Sequence, residues 1–135
     1  LTITITKKAY DPEFVRKVEE ISGQNFHMCM QCGTCSGGCP MTELMDCPTR
    51  RILLLTHYGM KEAVMAANTH WFCAACQTCY VRCPRGIDIP RVMEAIRQIA
   101  LRENINYVEP ADIPQEVLEE LPQIALVSCF RKHTS

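Results

Sequence analysis

The sequence predicts a mostly α-helical protein in which helices frame two cysteine-bearing loops, with an extended arm at its start. Three observations carry that prediction. Apolar residues recur every three or four positions in most segments outside the cysteines, the period of a helix with one buried face. Eight of the ten cysteines fall into two runs of identical spacing, which marks two loops built alike. The stretch that joins the runs, residues 40–72, reads as helix and turn.

Taken in order, Leu1, Ile3 and Ile5 alternate with threonines, a strand-like period best suited to an arm laid on a neighbouring surface, and we place this arm over residues 1–12. Asp11-Pro12-Glu13 has the form of a helix start, an N-cap followed by proline, and Phe14, Val18 and Ile21 share a face before Gly23 ends the helix. After the first cysteine run, Pro48 opens a helix with Ile52, Leu55 and Tyr58 on one face, widened by Leu53 and Leu54 and stopped by Gly59. Residues 61–67 continue as a shorter helix burying Ala63, Val64 and Ala67, and Thr69 is expected to cap the turn that carries Trp71. Past the second run, Asp88 and Pro90 start a long helix patterned by Val92, Met93, Ile96, Ile99 and Ala100. A helical domain over residues 13–103 is thereby predicted, followed by residues 104–135 as a short helix, capped by Asp112, and a docking tail. The tail begins with Ile124-Ala125-Leu126-Val127 and ends in Phe130-Arg131-Lys132-His133.

The two runs are Cys29-x2-Cys32-x2-Cys35-x3-Cys39-Pro40 and Cys73-x2-Cys76-x2-Cys79-x3-Cys83-Pro84, so each cysteine of the first recurs 44 positions later in the second. Three thiols two residues apart curl the chain round one face of an iron–sulfur cubane, whose irons take soft thiolate ligands. In proteins with this pattern the fourth cysteine serves the other cluster. We therefore assign Cys29, Cys32, Cys35 and Cys83 to one [4Fe-4S] cluster and Cys73, Cys76, Cys79 and Cys39 to a second. Pro40 and Pro84 turn the chain away from each loop, because proline withdraws an N–H and disfavours helix in the residue before it. Ser36-Gly37-Gly38 is expected to let the backbone approach the first cluster, where the second run has the bulkier Tyr80-Val81-Arg82. Structural zinc sites favour separated pairs of ligands over triplets closed by Cys-Pro. With a helical rather than β-rich linker, the expected fold is the all-α form of a two-cluster ferredoxin, an inference by analogy of fold.

Composition narrows the function classes. A formal net charge of -1, from 14 basic and 15 acidic residues, gives no electrostatic case for nucleic acid or an anionic lipid surface. The first residues lack the form of a signal peptide, and reduced thiols imply a cytoplasm-like compartment. The best apolar run, Ile52 to Leu55, is far too short to span a bilayer, so no direct membrane insertion is expected. Cys47 and Cys129 remain outside the runs. Cys47 is expected to be a packed structural thiol and Cys129 a small residue at an interface, with disulfide reduction by either as the alternative. His27 and His70 precede their runs but are not needed as ligands, since eight cysteines satisfy two cubanes. Met28, Met30, Met41, Met45, Met60 and Met65 are expected to pack round the clusters and core, and Trp71 and Phe72 to shield the second cluster.

Beyond the cysteines, the chain resembles the C subunit of heterodisulfide reductase. The resemblance lies in Met28-Cys29-Met30-Gln31-Cys32-Gly33-Thr34-Cys35-Ser36-Gly37-Gly38-Cys39-Pro40, in Met45-Asp46 with Pro48 and Arg50, and in Trp71-Phe72-Cys73 with Cys76 and Cys79. It continues through Tyr80-Val81-Arg82-Cys83-Pro84-Arg85-Gly86-Ile87-Asp88-Ile89 and covers roughly residues 13–102. The cysteine runs alone also fit the iron–sulfur subunits of succinate dehydrogenase-like and glycolate oxidase-like enzymes; Trp71 and the string from Arg82 to Gly86 narrow the choice. The resemblance implies a non-catalytic relay subunit of an oxidoreductase complex. Its two clusters would take electrons from a flavin-containing A-type subunit and pass them to a cysteine-rich B-type catalytic subunit.

Overall fold

The computed structural model describes residues 10–103 and 106–134, which are helical with no strand among them. Leu1, Ile3 and Ile5, the expected arm, lie outside the described residues. The chain gathers into two compact units, the first ending at Arg97 and the second beginning at Gln98.

In the first unit, α1 (Pro12–Ser22) begins where the sequence places it. The Asp11 carboxylate accepts a hydrogen bond from the Phe14 N–H at 3.0 Å, satisfying one of the orphan donors of the first turn. Gly23, at φ 64°, ends it in the left-handed conformation that costs glycine nothing, and its N–H donates to the Glu19 carbonyl. Phe14, Val15 and Val18 are buried, while Ile21 is half-buried.

Helix α2 (Thr34–Gly37) lies inside the first cysteine run, and α3 (Thr49–His57) follows Pro48. Ile52, Leu53 and Leu55 are buried, but Tyr58, expected on the same face, is exposed. The reason is local: Tyr58 closes the last i to i−4 bond of the helix, its N–H donating to the Leu54 carbonyl at 3.0 Å, and the chain turns through Gly59 at φ 60° directly after it, so no further turn of helix covers its ring. The Gly59 carbonyl accepts from the Asp11 N–H at 2.9 Å, which pins the start of α1 to this turn.

Helix α4 (Lys61–Ala66) buries Val64, with Ala67 buried just beyond its end and Ala63 half-buried. In α5 (Thr69–Phe72) the residue flanking the start is Asn68; Thr69 is the first helical residue, and its hydroxyl donates instead to the Cys47 carbonyl. Helix α6 (Thr78–Val81) lies inside the second run. Helix α7 (Ile89–Leu101) starts beside Asp88, whose carboxylate accepts from the Arg91 N–H at 3.2 Å. It buries Ile89, Val92, Met93, Ala95 and Ile96, the core-facing stripe that the apolar period predicts.

In the second unit, Asp112 belongs to a 3-10 turn (Pro110–Asp112) rather than capping α8 (Gln115–Glu120), which is preceded directly by Pro114. The expected tail is a helix, α9 (Gln123–His133). Its last turn carries His133 and the cations Arg131 and Lys132, placed at the negative end of the helix dipole. No described helix is long and apolar enough to cross a membrane.

Candidate metal centres

The repeat in the cysteines is also a repeat in the backbone. A 3-10 turn (Phe26–Met28) leads into Cys29 at φ -65°, ψ 115°, and α5 leads into Cys73 at φ -60°, ψ 111°. Gln31 and Ala75, equivalent positions, both hold positive φ, at 57° and 52°. Gly33 at 85° and Gln77 at 64° form a second such pair, and α2 and α6 follow at equivalent positions. Left-handed conformations cost a residue with a Cβ on the order of 1 kcal/mol or more, and alternating hands of backbone turn successive N–H groups toward one concave side. Gln31, Ala75 and Gln77 therefore hold strain where the chain wraps a point, the pattern of a site rather than of a plain connection.

Each loop faces a cavity that takes its thiols from both runs. One cavity, of about 350 Å³, is lined by Cys29, Cys32, Cys35 and Cys83, with Gln31, Arg50, Leu53, Arg85 and Ile87. The other, of about 380 Å³, is lined by Cys73, Cys76, Cys79 and Cys39, with Met41, Met45, Thr49, Pro90 and Met93. Ile89, the first residue of α7, lines both. Among the described residues no group of three or more His, Cys, Asp or Glu is positioned to hold a single metal ion. Four thiols spread round a largely apolar cavity suit a polynuclear cluster, whose inorganic core holds its ligands apart, and soft thiolates are the donors that iron–sulfur chemistry uses.

The thiols differ in ionisation. A hydrogen bond with Thr34 Oγ1, at 3.4 Å from Cys32 Sγ, holds the Cys32 thiol below its ordinary pKa, and Thr78 does the same for Cys76 at the equivalent position. Burial pushes Cys35 up, and burial together with the neighbouring Cys73 and Cys35 thiolates pushes Cys79 up to about 12. Thiols held in that way ionise when a metal replaces the proton, so metal loading releases protons and is opposed by acid. The Gln31 side-chain amide donates to Cys29 Sγ at 3.3 Å; its equivalent, Ala75, has no such group.

The remaining candidates lie elsewhere. Cys47 is buried, lines neither cavity and has its pKa raised by burial, the setting of an unreactive thiol. Cys129 is half-buried in α9. His27 faces His57, with the two Nδ1 atoms 3.0 Å apart, and Nε2 of His27 is 3.2 Å from a Glu19 carboxylate oxygen. His70 is fully buried in the core. Neither His27 nor His70 lines either of the two thiol-bearing cavities. Met30, Met41 and Met45 line the cavities and Met60 is buried, but Met28 is exposed, because the 3-10 turn that carries it puts Phe26 inward instead. Trp71 is buried and Phe72 half-buried, outside the lining of both cavities.

Of Ser36-Gly37-Gly38, expected to let the backbone approach the first cluster, Ser36 hydrogen-bonds the Cys35 thiol. None of the three lines a cavity, and a Cβ on Gly37 would meet nothing within 4 Å. Gly38 makes room for Arg82, whose Nη1 lies 2.7 Å from where a Cβ would stand. The Ser36 hydroxyl accepts from the Arg50 N–H at 2.9 Å and so caps α3 from outside the helix.

Three further contributors escaped the sequence reading. Asp46 and Asn68 clasp each other, the Asp46 N–H donating to Asn68 Oδ1 at 3.0 Å and the Asn68 N–H to the Asp46 carboxylate at 3.1 Å. The third is Arg97, a charged residue 3% exposed in α7. Its signal in the sequence was an arginine next to the buried Ile96 position, within the apolar stripe of a helix.

Residues 28–88 match the 4Fe-4S dicluster domain family. The chain is 34% identical over 98 residues to the C subunit of the H(2):CoB-CoM heterodisulfide,ferredoxin reductase of Methanothermobacter marburgensis, covering 73% of this chain and 53% of that one. It is 35% identical over 107 residues to the C subunit of the Ferredoxin:CoB-CoM heterodisulfide reductase of Methanosarcina mazei, covering 79% and 66%. With the iron-sulfur C subunit of the CoB--CoM heterodisulfide reductase of Methanopyrus kandleri the identity is 32% over 107 residues, covering 73% and 56%. The chain thus spans between about half and two thirds of the length of these curated relatives.

Proposed function

The chain belongs to the family of heterodisulfide reductase C subunits, and from that membership we propose that it is an electron-relay subunit holding two [4Fe-4S] clusters. Cys29, Cys32, Cys35 and Cys83 would hold one cluster, and Cys73, Cys76, Cys79 and Cys39 the other. The observation that carries the reading is the composition of the two cavities: each has three thiols of one run and the fourth of the other, and the two share Ile89. Crossed ligation makes the centres neighbours and makes either loop depend on both runs.

When bound, such clusters supply one-electron centres with potentials set by charge, hydrogen bonds and solvent exposure. The chain's own part is to place eight thiolates, donate a hydrogen bond from Gln31 to Cys29, and exclude water from the sites with Leu53, Ile87, Ile89 and Met93. Electrons would enter from a flavin-containing A-type subunit and leave to a cysteine-rich B-type partner that carries out the reduction. The burial of Cys47 and its raised pKa argue against a disulfide-reducing thiolate there.

Two measurements test this. Reconstituted anaerobically, the chain should bind about eight irons and give two interacting reduced centres by electron paramagnetic resonance; about four irons, or bound zinc, would overturn the cluster reading. A tagged chain recovered from its native cell should bring a flavoprotein and a second cysteine-rich protein with it. Recovery of the chain alone would remove the relay between those two partners.

A further inference from the structure

We propose that Arg97 raises the reduction potential of the centre held by Cys73, Cys76, Cys79 and Cys39, acting as a buried positive charge tied to the carbonyl of that centre's first cysteine. The inference rests on the two-cluster reading above. Arg97 Nη1 donates to the His70 carbonyl at 2.6 Å and to the Cys73 carbonyl at 3.3 Å. Its Nε donates to Glu94 Oε2 at 3.1 Å, and Nη2 pairs with the same oxygen.

The two charges of that pair are not equivalent. The Arg97 side chain is 4% exposed and the Glu94 side chain 49%. A guanidinium stays protonated at any pH a protein survives, so the buried member is always charged. Water and salt screen the half-exposed carboxylate far more than the buried guanidinium, which leaves net positive potential on the inner side. Reduction adds an electron to the centre, and a fixed positive charge nearby favours the reduced form.

The other half of the repeat lacks this device. At the offset of 44 that aligns the two cysteine runs, Arg97 corresponds to Leu53, an apolar residue that lines the first cavity. The arginines at the first cavity, Arg50 and Arg85, are solvent-exposed. Their influence on the first centre should fade with salt, whereas that of Arg97 on the second should not.

The test is a redox titration of the reconstituted full chain followed by electron paramagnetic resonance, with Cys32→Ser and Cys76→Ser used to assign the two signals. Arg97→Met should lower the potential of the second centre and leave the first unmoved. Because that variant orphans two carbonyls, Glu94→Gln provides the second arm: it keeps the guanidinium, removes the counter-charge, and should give a smaller upward shift of the same centre. Raising salt from about 0.01 M to about 1 M should move the first centre's potential more than the second's. A Glu94→Gln variant with about eight irons and unshifted potentials, or with both centres shifted equally, would overturn the role of Arg97 alone. A wild-type chain without about eight irons would overturn the two-cluster reading as well.

Discussion

His70 shows how much one residue's setting depends on contacts the chain order does not reveal. It sits at the position equivalent to Phe26 in the repeat, and both side chains are fully buried. Neither ring nitrogen has a hydrogen-bond partner among the described residues, and burial, helped by the Arg97 charge, holds its pKa at about 4 against about 6.5 for a free histidine. Between those values the unfolded chain takes up a proton that the folded chain refuses. The associated stability is therefore complete above pH 6.5 and is lost as pH falls toward 4, roughly 3 kcal/mol in all and about 2 kcal/mol by pH 5. His70→Phe, the residue the other half uses, should remove that part of the acid sensitivity. Denaturant midpoints taken anaerobically at pH 7 and pH 5 should fall further for the wild type than for the variant, and equal falls would contradict this. The cysteine count already left His70 no ligand role in the sequence, but its burial in the core was not legible there. Cys47 was legible as a packed thiol, since the repeat left it no ligand role to fill.

Among the elements, those with local start and stop signals were readable. Asp11 and Gly23 delimit α1, and Asp88 starts α7, because a cap acts within one turn of the helix it closes. Signals that act across the chain were not readable: Ser36 caps α3 from 14 positions away, and Asn68 clasps Asp46 from 22. The final helix α9 escaped for another reason, since Ile124 and Val127 are exposed and its apolar residues mark no single buried face. Two glycines separate conformational strain from crowding. Gly23 and Gly59 both hold positive φ, but a Cβ at Gly23 meets nothing within 4 Å, whereas at Gly59 it would lie 2.8 Å from the Asp11 carbonyl oxygen. Gly23→Ala should cost about 1 kcal/mol, the left-handed conformation alone. Gly59→Ala should cost distinctly more, because the turn must also part from the start of α1. Equal costs in denaturant titration would mean that the Asp11–Gly59 contact bears no load. Asp11→Ala should cost about 1 kcal/mol through the lost cap.

At the scale of the whole molecule, the pairing of the two runs was legible because a constant offset of 44 residues aligns cysteines, prolines and, in the structure, the left-handed backbone positions. What the sequence could not supply was the setting of the contrast between the halves: Gln31 against Ala75 beside the thiols, and Leu53 against the buried Arg97. Those differences give two sites of common design different surroundings. Since Cys47 lines neither cavity, Cys47→Ser should retain about eight irons, and a loss of about four would make it a ligand. The interlocking of the runs is the central claim, and the electron paramagnetic resonance spectrum of Cys83→Ser tests it most directly, read against those of Cys32→Ser and Cys76→Ser. With crossed ligation, Cys83→Ser alters the signal that Cys32→Ser alters and spares the other. If it alters the signal of Cys76→Ser instead, each run closes on its own cluster and the interlocked site is wrong.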